Sequence, residues 1–551
     1  MIQEVEQAII DAVKKAFAVD VLVHLTRPDE KFGDYATNTA LQLAKQLEDT
    51  PEGGPRAIAQ AIVDNLSNGV IAKAEIAGPG FINIWLTDTS LAKLAVRQPN
   101  GINRGKIVVI ETNNPNPFKA IHIGHAFNAI VADTIANLLA ASGATVHRVS
   151  YHGDVGLHVG KSMFSLLKYV DGNLNRLNDI KSEDRNSFMS KMYADGSAAY
   201  KQDTSAKERI NELAAASFDR SDVIYGQVYD ICFKWSFEAI DGIMARLGNN
   251  PIEKRYLESQ ADELGLQTVK ANVGKVFEES DGALVFLGSK YGVFDNVFVS
   301  STGRGLYAAR DLGLMELKNN DFHPDKSYVV TAVEQKDYFK GVIKASELCL
   351  PDLNGQTTNI STGTVKLSTG KMSSRNGDVL EISWLFDQVT DAIVKQGGAV
   401  TEQIVAGALR YEFLKSRIGS DVTFNVDEAV SLQGNSGPYL QYAHARACSI
   451  LAKAKQTTAR NYDDNLQLGE RSLLRKIGEF AEAVERSIND LMPHHMCTYL
   501  YELAQVFNHF YEHNRVLGDA REAERLQLVA MYTHTLKAGL NLLNIPAPDK
   551  M

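Results

Sequence analysis

Cysteine is scarce in this chain. The four that occur, Cys232, Cys349, Cys448 and Cys497, lie far apart, form no Cys-x-x-Cys pair and have no second ligand type at zinc-like spacing, so they are expected only to pack and no structural zinc is expected. Long apolar runs are also missing. The first helical pattern, Met1 to Phe17, is broken by Glu4, Glu6, Asp11, Lys14 and Lys15, which does not suit a signal peptide, and no other stretch reads as long and apolar enough to cross a membrane. The expectation is a reduced, cytoplasmic enzyme with no membrane partner. Nor is there an excess of positive charge. A formal charge of -10 opposes indiscriminate binding to polyanions, so no DNA partner is expected and any RNA contact must use local basic patches.

What is present is length and ordinary composition. A chain of 551 residues exceeds one hydrophobic core and suggests about three or four domains. With 44% apolar and 23% charged residues it can bury more than one core.

The pattern divides the chain in three. Residues 1–99 read as small α+β: an amphipathic helix, a strand at Val21 to His24, a helix opened by Gly33-Asp34-Tyr35 with Asp34 as N-cap, a helix at Ala57 to Leu66, and the alternating strand Phe81 to Leu86. Residues 100–384 open with the continuous apolar run Ile107 to Ile110, which predicts a strand buried on both faces. A loop with Pro115 and Pro117, a helix starting near Gly124 and stopping at Gly143, and the strand Thr145 to Val149 complete a βαβ unit. From about 161 to 281 the pattern is mostly helical and reads as an insertion. Parallel-sheet character then returns at Ala283 to Phe286 and Tyr328 to Val330. Residues 385–551 are nearly all helical by period. Two halves of a parallel sheet, separated by inserted helices and followed by a helical domain, make the fold class α/β.

Two segments carry candidate chemistry. His122-Ile123-Gly124-His125 sits where the first strand's loop enters a helix, at the sheet edge where open α/β proteins bind ligands. A triphosphate there meets unpaired N–H groups and the positive end of the helix dipole. Gly124 allows close backbone approach, and both histidines can donate to phosphate oxygens. The plainer alternative is that one histidine caps the helix and the other is merely exposed. Far downstream, Lys371-Met372-Ser373-Ser374-Arg375-Asn376-Gly377 follows the strand Thr364 to Ser368, a cationic loop able to close over a leaving pyrophosphate. Its plainer alternative is a solvated basic turn. The pair in this order is much more specific than either part.

At these residues the chain resembles a class I aminoacyl-tRNA synthetase, whose nucleotide-binding fold carries a His-Ile-Gly-His signature early and a Lys-Met-Ser-Lys-Ser signature late. The first is matched in full; in the second, Ser374 stands where a lysine is expected. The resemblance to the arginyl-tRNA synthetase family runs almost the whole length. It is carried by Lys31-Phe32-Gly33-Asp34-Tyr35, Ala77-Gly78-Pro79-Gly80-Phe81-Ile82-Asn83, and Glu111, Pro115, Asn116 and Lys119 ahead of the histidine signature. Gly153-Asp154-Val155-Gly156, Leu306 to Asp311, Gly437 to Arg446, Phe507 to Tyr511 and the closing Pro546 to Met551 continue it. Departures are Val155 in place of a tryptophan and Ala126-Phe127-Asn128 in place of Leu-Arg-Ser.

The resemblance implies a Rossmann-like parallel-sheet catalytic domain with a helical insertion, an N-terminal α+β domain contacting the tRNA elbow, and a C-terminal all-α anticodon-binding domain. It implies arginine–tRNA ligase activity, with ATP as its Mg²⁺ complex, L-arginine and tRNA(Arg) as partners and a monomer as the expected state. His122, Gly124, His125, Lys371, Met372 and Ser373 are then the ATP-binding residues, with His122, His125, Lys371 and Lys119 catalytic. A guanidinium offers five donors and needs acceptors held in a plane, which suits Asp311 and Glu111. The resemblance adds Tyr307, Asn116, His122 and Gln335 for arginine. The plainer alternatives make Asp311 a partner of Arg310 and Tyr307 a core residue. Tyr35 and Asn38 are expected at the tRNA elbow. Tyr439, Tyr442, His444 and Arg446 offer stacking faces and a cation for anticodon bases, although the two tyrosines share a helix face and can instead pack. Because Ser374 carries no charge, Lys119 or Arg375 is expected to supply the missing cation. The rivals are another phosphate-active enzyme or class I synthetase of this superfold and a catalytically silent RNA-binding paralogue.

Overall fold

The run Ile107–Ile110 stands at the centre of a five-stranded sheet ordered Thr357–Thr362, Lys326–Ala332, Ile107–Glu111, Thr145–His152, Lys254–Leu257. All four neighbour pairs are parallel. Val108, Val109 and Ile110 are buried, as a strand covered by helices on both faces requires. The structure is a computed structural model that describes residues 1–47, 51–67, 69–368, 380–454 and 465–551. From the central strand the chain leaves through the helix Ile123–Ala141 to Thr145–His152 on one side, while Lys326–Ala332 joins on the other. The order reverses there, and the crevice outside the strands' carboxyl ends at such a reversal is where α/β sheets bind ligands.

The helix Ile123–Ala141 is long and apolar enough to cross a membrane by length and composition, which corrects the expectation that no stretch is. Its apolarity has another cause. It packs against the strand Lys326–Ala332 and the helices Glu402–Leu414, Phe480–Asn489 and Glu522–Leu542, so most of its circumference is core. Asp133, buried on that helix, accepts from Arg410 (3.2 Å), Arg148 (3.3 Å), the Asn250 amide (3.1 Å) and the Asn544 amide (2.7 Å). One carboxylate thereby ties the signature helix to the second strand, the end of the insertion and the C-terminal domain.

The insertion is narrower than its pattern suggests. Helices from Leu157–Val170 to Val223–Arg246 enclose a core of Val159, Met163, Leu166, Tyr225, Tyr229 and Cys232, but Lys254–Leu257 already belongs to the main sheet. Ala283–Phe286 corrects a second expectation. It pairs antiparallel with Glu278–Ser280 and Asn296–Val299 in a separate three-stranded sheet. The intervening Asp281 and Gly282 both have positive φ, 50° and 76°, the conformation of a tight hairpin turn, so the Asp-Gly pair outweighed the apolar run.

In the N-terminal domain a four-stranded antiparallel sheet orders Leu25–Thr26, Tyr35–Thr37, Phe81–Leu86 and Ile71–Ala77, backed by Ile2–Phe17 and Gly54–Asn65. Residues 21–24 form no strand; Leu22 is 72% exposed and the pairing begins at Leu25. Asp34 is not a helix cap. The following residues are strand, and its carboxylate is fully buried, accepting from the Leu86 amide at 2.7 Å and from Arg471 at 2.8 Å. Arg27–Glu482 (2.7 Å) adds a second ion pair across the same seam. The N-terminal domain is therefore docked on the C-terminal helices Leu468–Gly478 and Phe480–Asn489. Among its described residues the C-terminal part has helices and one strand, Val422–Phe424, which pairs parallel with Val365–Leu367.

Candidate active site

His122 is the N-cap of its helix and His125 is the third residue inside it. The His125 amide donates to His122 Nδ1 (3.3 Å), the His122 amide donates to His125 Nδ1 (3.4 Å), and the rings stack at 3.5 Å. Capping and chemistry are thus not alternatives here. With each Nδ1 accepting a backbone proton, the neutral tautomer carries its proton on Nε2, free to donate. Burial pushes His122 down to about 4, helped by the Lys119 ammonium, and holds His125 well below its usual range. Both are neutral donors at pH 7. A Cβ at Gly124 would stand 3.1 Å from His122 Nδ1, so this glycine also makes room for the stacked ring.

Lys119 lies close enough to act electrostatically on His122, His125, His158 and Lys161. Burial lowers its own pKa, and among the described residues it makes no ion pair. An uncompensated, half-buried ammonium beside a helix N-terminus is poised for an anion.

Two cavities meet at the sheet's carboxyl edge. The first, about 580 Å³, is lined by Glu111, Asn116, Tyr307, Asp311 and Gln335, which brings together all but His122 of the residues expected to hold arginine. Asp311 is not the partner of Arg310, whose guanidinium turns to Glu258 (3.0 Å) and Asp262 (2.8 Å). Instead the Tyr338 hydroxyl donates to Asp311 Oδ2 at 2.6 Å. Burial raises the Asp311 carboxyl to about 7, against the opposing pull of that hydrogen bond. Tyr307 is no core residue, being 66% exposed at the cavity wall. Glu111 departs from expectation: one oxygen accepts from Lys318 at 2.6 Å and the other from Asn114 at 2.8 Å, so it is a neutralised wall rather than a free acceptor. Asn116 accepts from the Gly153 amide at 2.8 Å, which leaves its NH₂ as a donor. Sequence reasoning missed Tyr338, Lys318 and Glu258, whose spacing from the motifs carries no local signal.

The second cavity, about 590 Å³, is lined by His122, Gly124, His125 and Gln335, and by Gly363, Thr364 and Lys366. His125, Asn128, Glu334 and Gln335 line both cavities and form their shared wall. Asn128 is one of the departures from the family pattern, and it accepts from Thr362 at 2.6 Å. Val155, another, is buried. Lys371, Met372, Ser373, Ser374 and Arg375 lie outside the described residues. Their flanks do not: Leu367 and Leu380 both line the second cavity, and the Ile123 amide donates to the Leu380 carbonyl at 3.0 Å. Described residues on both sides of the late segment thus line the second cavity.

The residues expected at RNA are placed less uniformly. Tyr35 is 2% exposed, its hydroxyl donating to Glu482 at 2.7 Å, so it seals the domain seam and offers no face to tRNA. Asn38 is half-buried and accepts from Gln42. Tyr442 is 44% exposed, whereas Tyr439 packs edge-on against Tyr501 and accepts from Asn508. Arg446 covers the Tyr511 ring at 4.6 Å. His444 is fully buried, so it cannot stack a base. It shares a helix face with Cys448, and both meet Asp549, a grouping of three ligand types in space that the sequence spacing does not reveal. Lys537 pairs with Asp549 at 3.7 Å, and His444 Nδ1 donates to the Pro548 carbonyl at 3.0 Å. The cluster docks the C-terminal tail.

Known proteins are similar over the whole chain. The family described as "tRNA synthetases class I (R), catalytic domain" matches residues 90–403. "Arginyl tRNA synthetase N terminal domain" matches 2–86 and "DALR anticodon binding domain" matches 440–551. An arginine–tRNA ligase of Borrelia hermsii is 28% identical, covering 90% of this chain and 89% of its own. One of Frankia casuarinae is 29% identical over 100% and 99%. The solved arginyl-tRNA synthetase of Thermus thermophilus superposes with a TM-score of 0.81 at 25% identity, both chains covered in full.

Proposed function

This chain belongs to the class I arginyl-tRNA synthetase family, and we propose that it activates L-arginine with ATP and transfers it to tRNA(Arg). The observation that carries the reading is the shared wall of the two cavities. On one side Asp311 is held by Tyr338 for a cation; on the other, neutral His122 and His125 face a cavity of about 590 Å³ at a helix N-terminus. An amino acid anchored by its side chain in the first cavity presents its carboxylate toward a triphosphate in the second. The arginine carboxylate oxygen attacks the α-phosphorus of Mg-ATP, the bond to pyrophosphate breaks, and arginyl-adenylate forms. A hydroxyl of the tRNA's 3′-terminal adenosine then attacks the arginyl carbonyl and AMP leaves. The protein's part is positioning and charge stabilisation, and no covalent enzyme intermediate is needed.

His122 and His125 stabilise phosphate charge through Nε2–H, and Lys119 supplies a cation from the loop before them. By the resemblance of the late signature, Lys371, Met372 and Ser373 act on the same phosphates. Mg²⁺ enters with ATP. Among the described residues of the C-terminal domain, Tyr442 is an exposed aromatic that suits a splayed base. The chain acts as a monomer in the cytoplasm. The test is ATP–pyrophosphate exchange and tRNA charging with each of the twenty amino acids in the presence of tRNA. Arginine alone should support both; charging with another amino acid, or with none, overturns the reading.

A further inference from the structure

The first cavity contains a hydroxyl that the protein itself leaves unsatisfied. Tyr151 lines the cavity, and its Oη is shielded from solvent with no hydrogen-bond partner among the described residues. Buried polar groups are nearly always paired, so an unpaired one in a ligand cavity calls for a ligand.

The hydroxyl is also held in place. Tyr151 lies on the strand Thr145–His152 opposite Tyr256, its amide donates to Asn114 at 2.9 Å, and its ring packs against the core of Val109, Val149, Tyr256, Ala261 and Leu314. It cannot swing away to find a partner. Its neighbours place it at the acidic end of the cavity, since Asp311 and Glu258 both raise its pKa in addition to burial. Several acceptors beside it are already engaged: both oxygens of Glu111 by Lys318 and Asn114, one oxygen of Glu258 by Arg310, and one oxygen of Asp311 by Tyr338. A guanidinium brings five N–H donors, more than the remaining capacity of Asp311 can accept.

We propose that Tyr151 is a specificity-determining residue, its hydroxyl oxygen accepting one guanidinium N–H of arginine beside Asp311. A neutral acceptor adds a fixed direction without a second negative charge, and so favours a planar fork over the compact ammonium of lysine. The inference rests on the reading that this cavity takes arginine.

The test is Tyr151→Phe in the full chain, assayed by ATP–pyrophosphate exchange with tRNA present and by thermal unfolding with and without arginine. The KM for arginine should rise roughly ten- to a hundredfold, the cost of a hydrogen bond to a charged group. The KM for ATP should stay within about twofold. The free variant should be as stable as wild type or more so, because an unpaired buried hydroxyl has been removed, while the stabilisation by arginine shrinks. An unchanged arginine KM overturns the proposal, as does a parallel rise of both KM values with lowered stability, which marks a structural role. Wild-type protein that neither exchanges with arginine nor is stabilised by it overturns the arginine reading itself, a separate outcome.

Discussion

Arg410 Nη2 lies 3.2 Å from Asp133 Oδ2, and both side chains are fully shielded from solvent. The guanidinium also donates to the carbonyls of Leu543 (2.7 Å) and Leu247 (3.0 Å), so it bonds the C-terminal tail and the end of the insertion at once. Removing one member leaves the other charge buried. Arg410→Ala is expected to lower unfolding stability by about 3–5 kcal/mol, as one-sided breakage of buried pairs does. Urea denaturation of Arg410→Ala, Asp133→Asn and the double variant measures it; the double variant should lose less than the sum of the singles.

Asp34→Ala should loosen the docking of the N-terminal domain. Arg471 and Arg475 converge on this one buried carboxylate, with Arg475 Nε at 3.4 Å, and without it two guanidinium groups face each other in the seam. Hydrogen exchange should show faster exchange at residues 81–86 and 468–478, with the central parallel sheet unchanged. Unchanged protection at the seam would mean that Arg27–Glu482 and the apolar contacts suffice.

Much of this architecture was legible because its signals are local. Ile107 to Ile110 reads as a doubly covered strand, and the helix limits at Gly124 and Gly143 fall where the chain turns. The failures share a cause. Asp34 resembles a helix cap in one dimension, yet its partners Arg471 and Arg475 lie more than four hundred positions away. Tyr35 looks like an exposed ring until the C-terminal helix is laid over it. At the site, Asp311 was found through its motif, but its hydrogen bond to Tyr338 and the pairing of Glu111 with Lys318 are tertiary facts that no periodicity encodes. Ala283 to Phe286 was misassigned although Asp281-Gly282 beside it spelled a hairpin.

Asp311→Asn should weaken arginine use far more than ATP use, since it removes the charged partner while sparing the second cavity. The wild-type carboxyl, raised to about 7, is largely protonated below that pH, and a neutral acid cannot pair with a guanidinium. The arginine KM should therefore fall as pH rises from about 6 to 8, and arginine binding near pH 6.5 should release a fraction of a proton. By linkage, the free protein loses the contribution of this group as pH rises through about 7, because the folded state binds its proton more tightly than the unfolded chain does. Calorimetry in buffers of different ionisation enthalpy measures the released proton. Asp311→Asn should release none at this site. A pH-independent arginine KM in wild type would show that Asp311 is ionised before arginine arrives.

The last prediction concerns the cation that Ser374 cannot provide. Lys119 is half-buried, makes no ion pair among the described residues, and depresses the pKa values of both signature histidines, although in the free protein its side chain lines a small separate pocket with Ile121 and Trp235. Its lowered pKa reflects a desolvation cost that an arriving phosphate would offset, so the charge is better matched to the nucleotide complex than to the free protein. Lys119→Ala should slow activation by roughly a hundred- to a thousandfold, the loss seen when one preorganised charge-stabilising donor is removed. The protein should meanwhile be no less stable, because a buried unpaired ammonium stabilises nothing. Restoring the family's lysine with Ser374→Lys in the Lys119→Ala background should recover part of the rate. The histidines give an independent readout: without the neighbouring ammonium, their pKa values should move up toward the ordinary range, which NMR titration of the imidazole signals follows. If Lys119→Ala activates arginine at the wild-type rate and Arg375→Ala does not, the compensating cation is Arg375, and Lys119 serves only to keep His122 and His125 neutral.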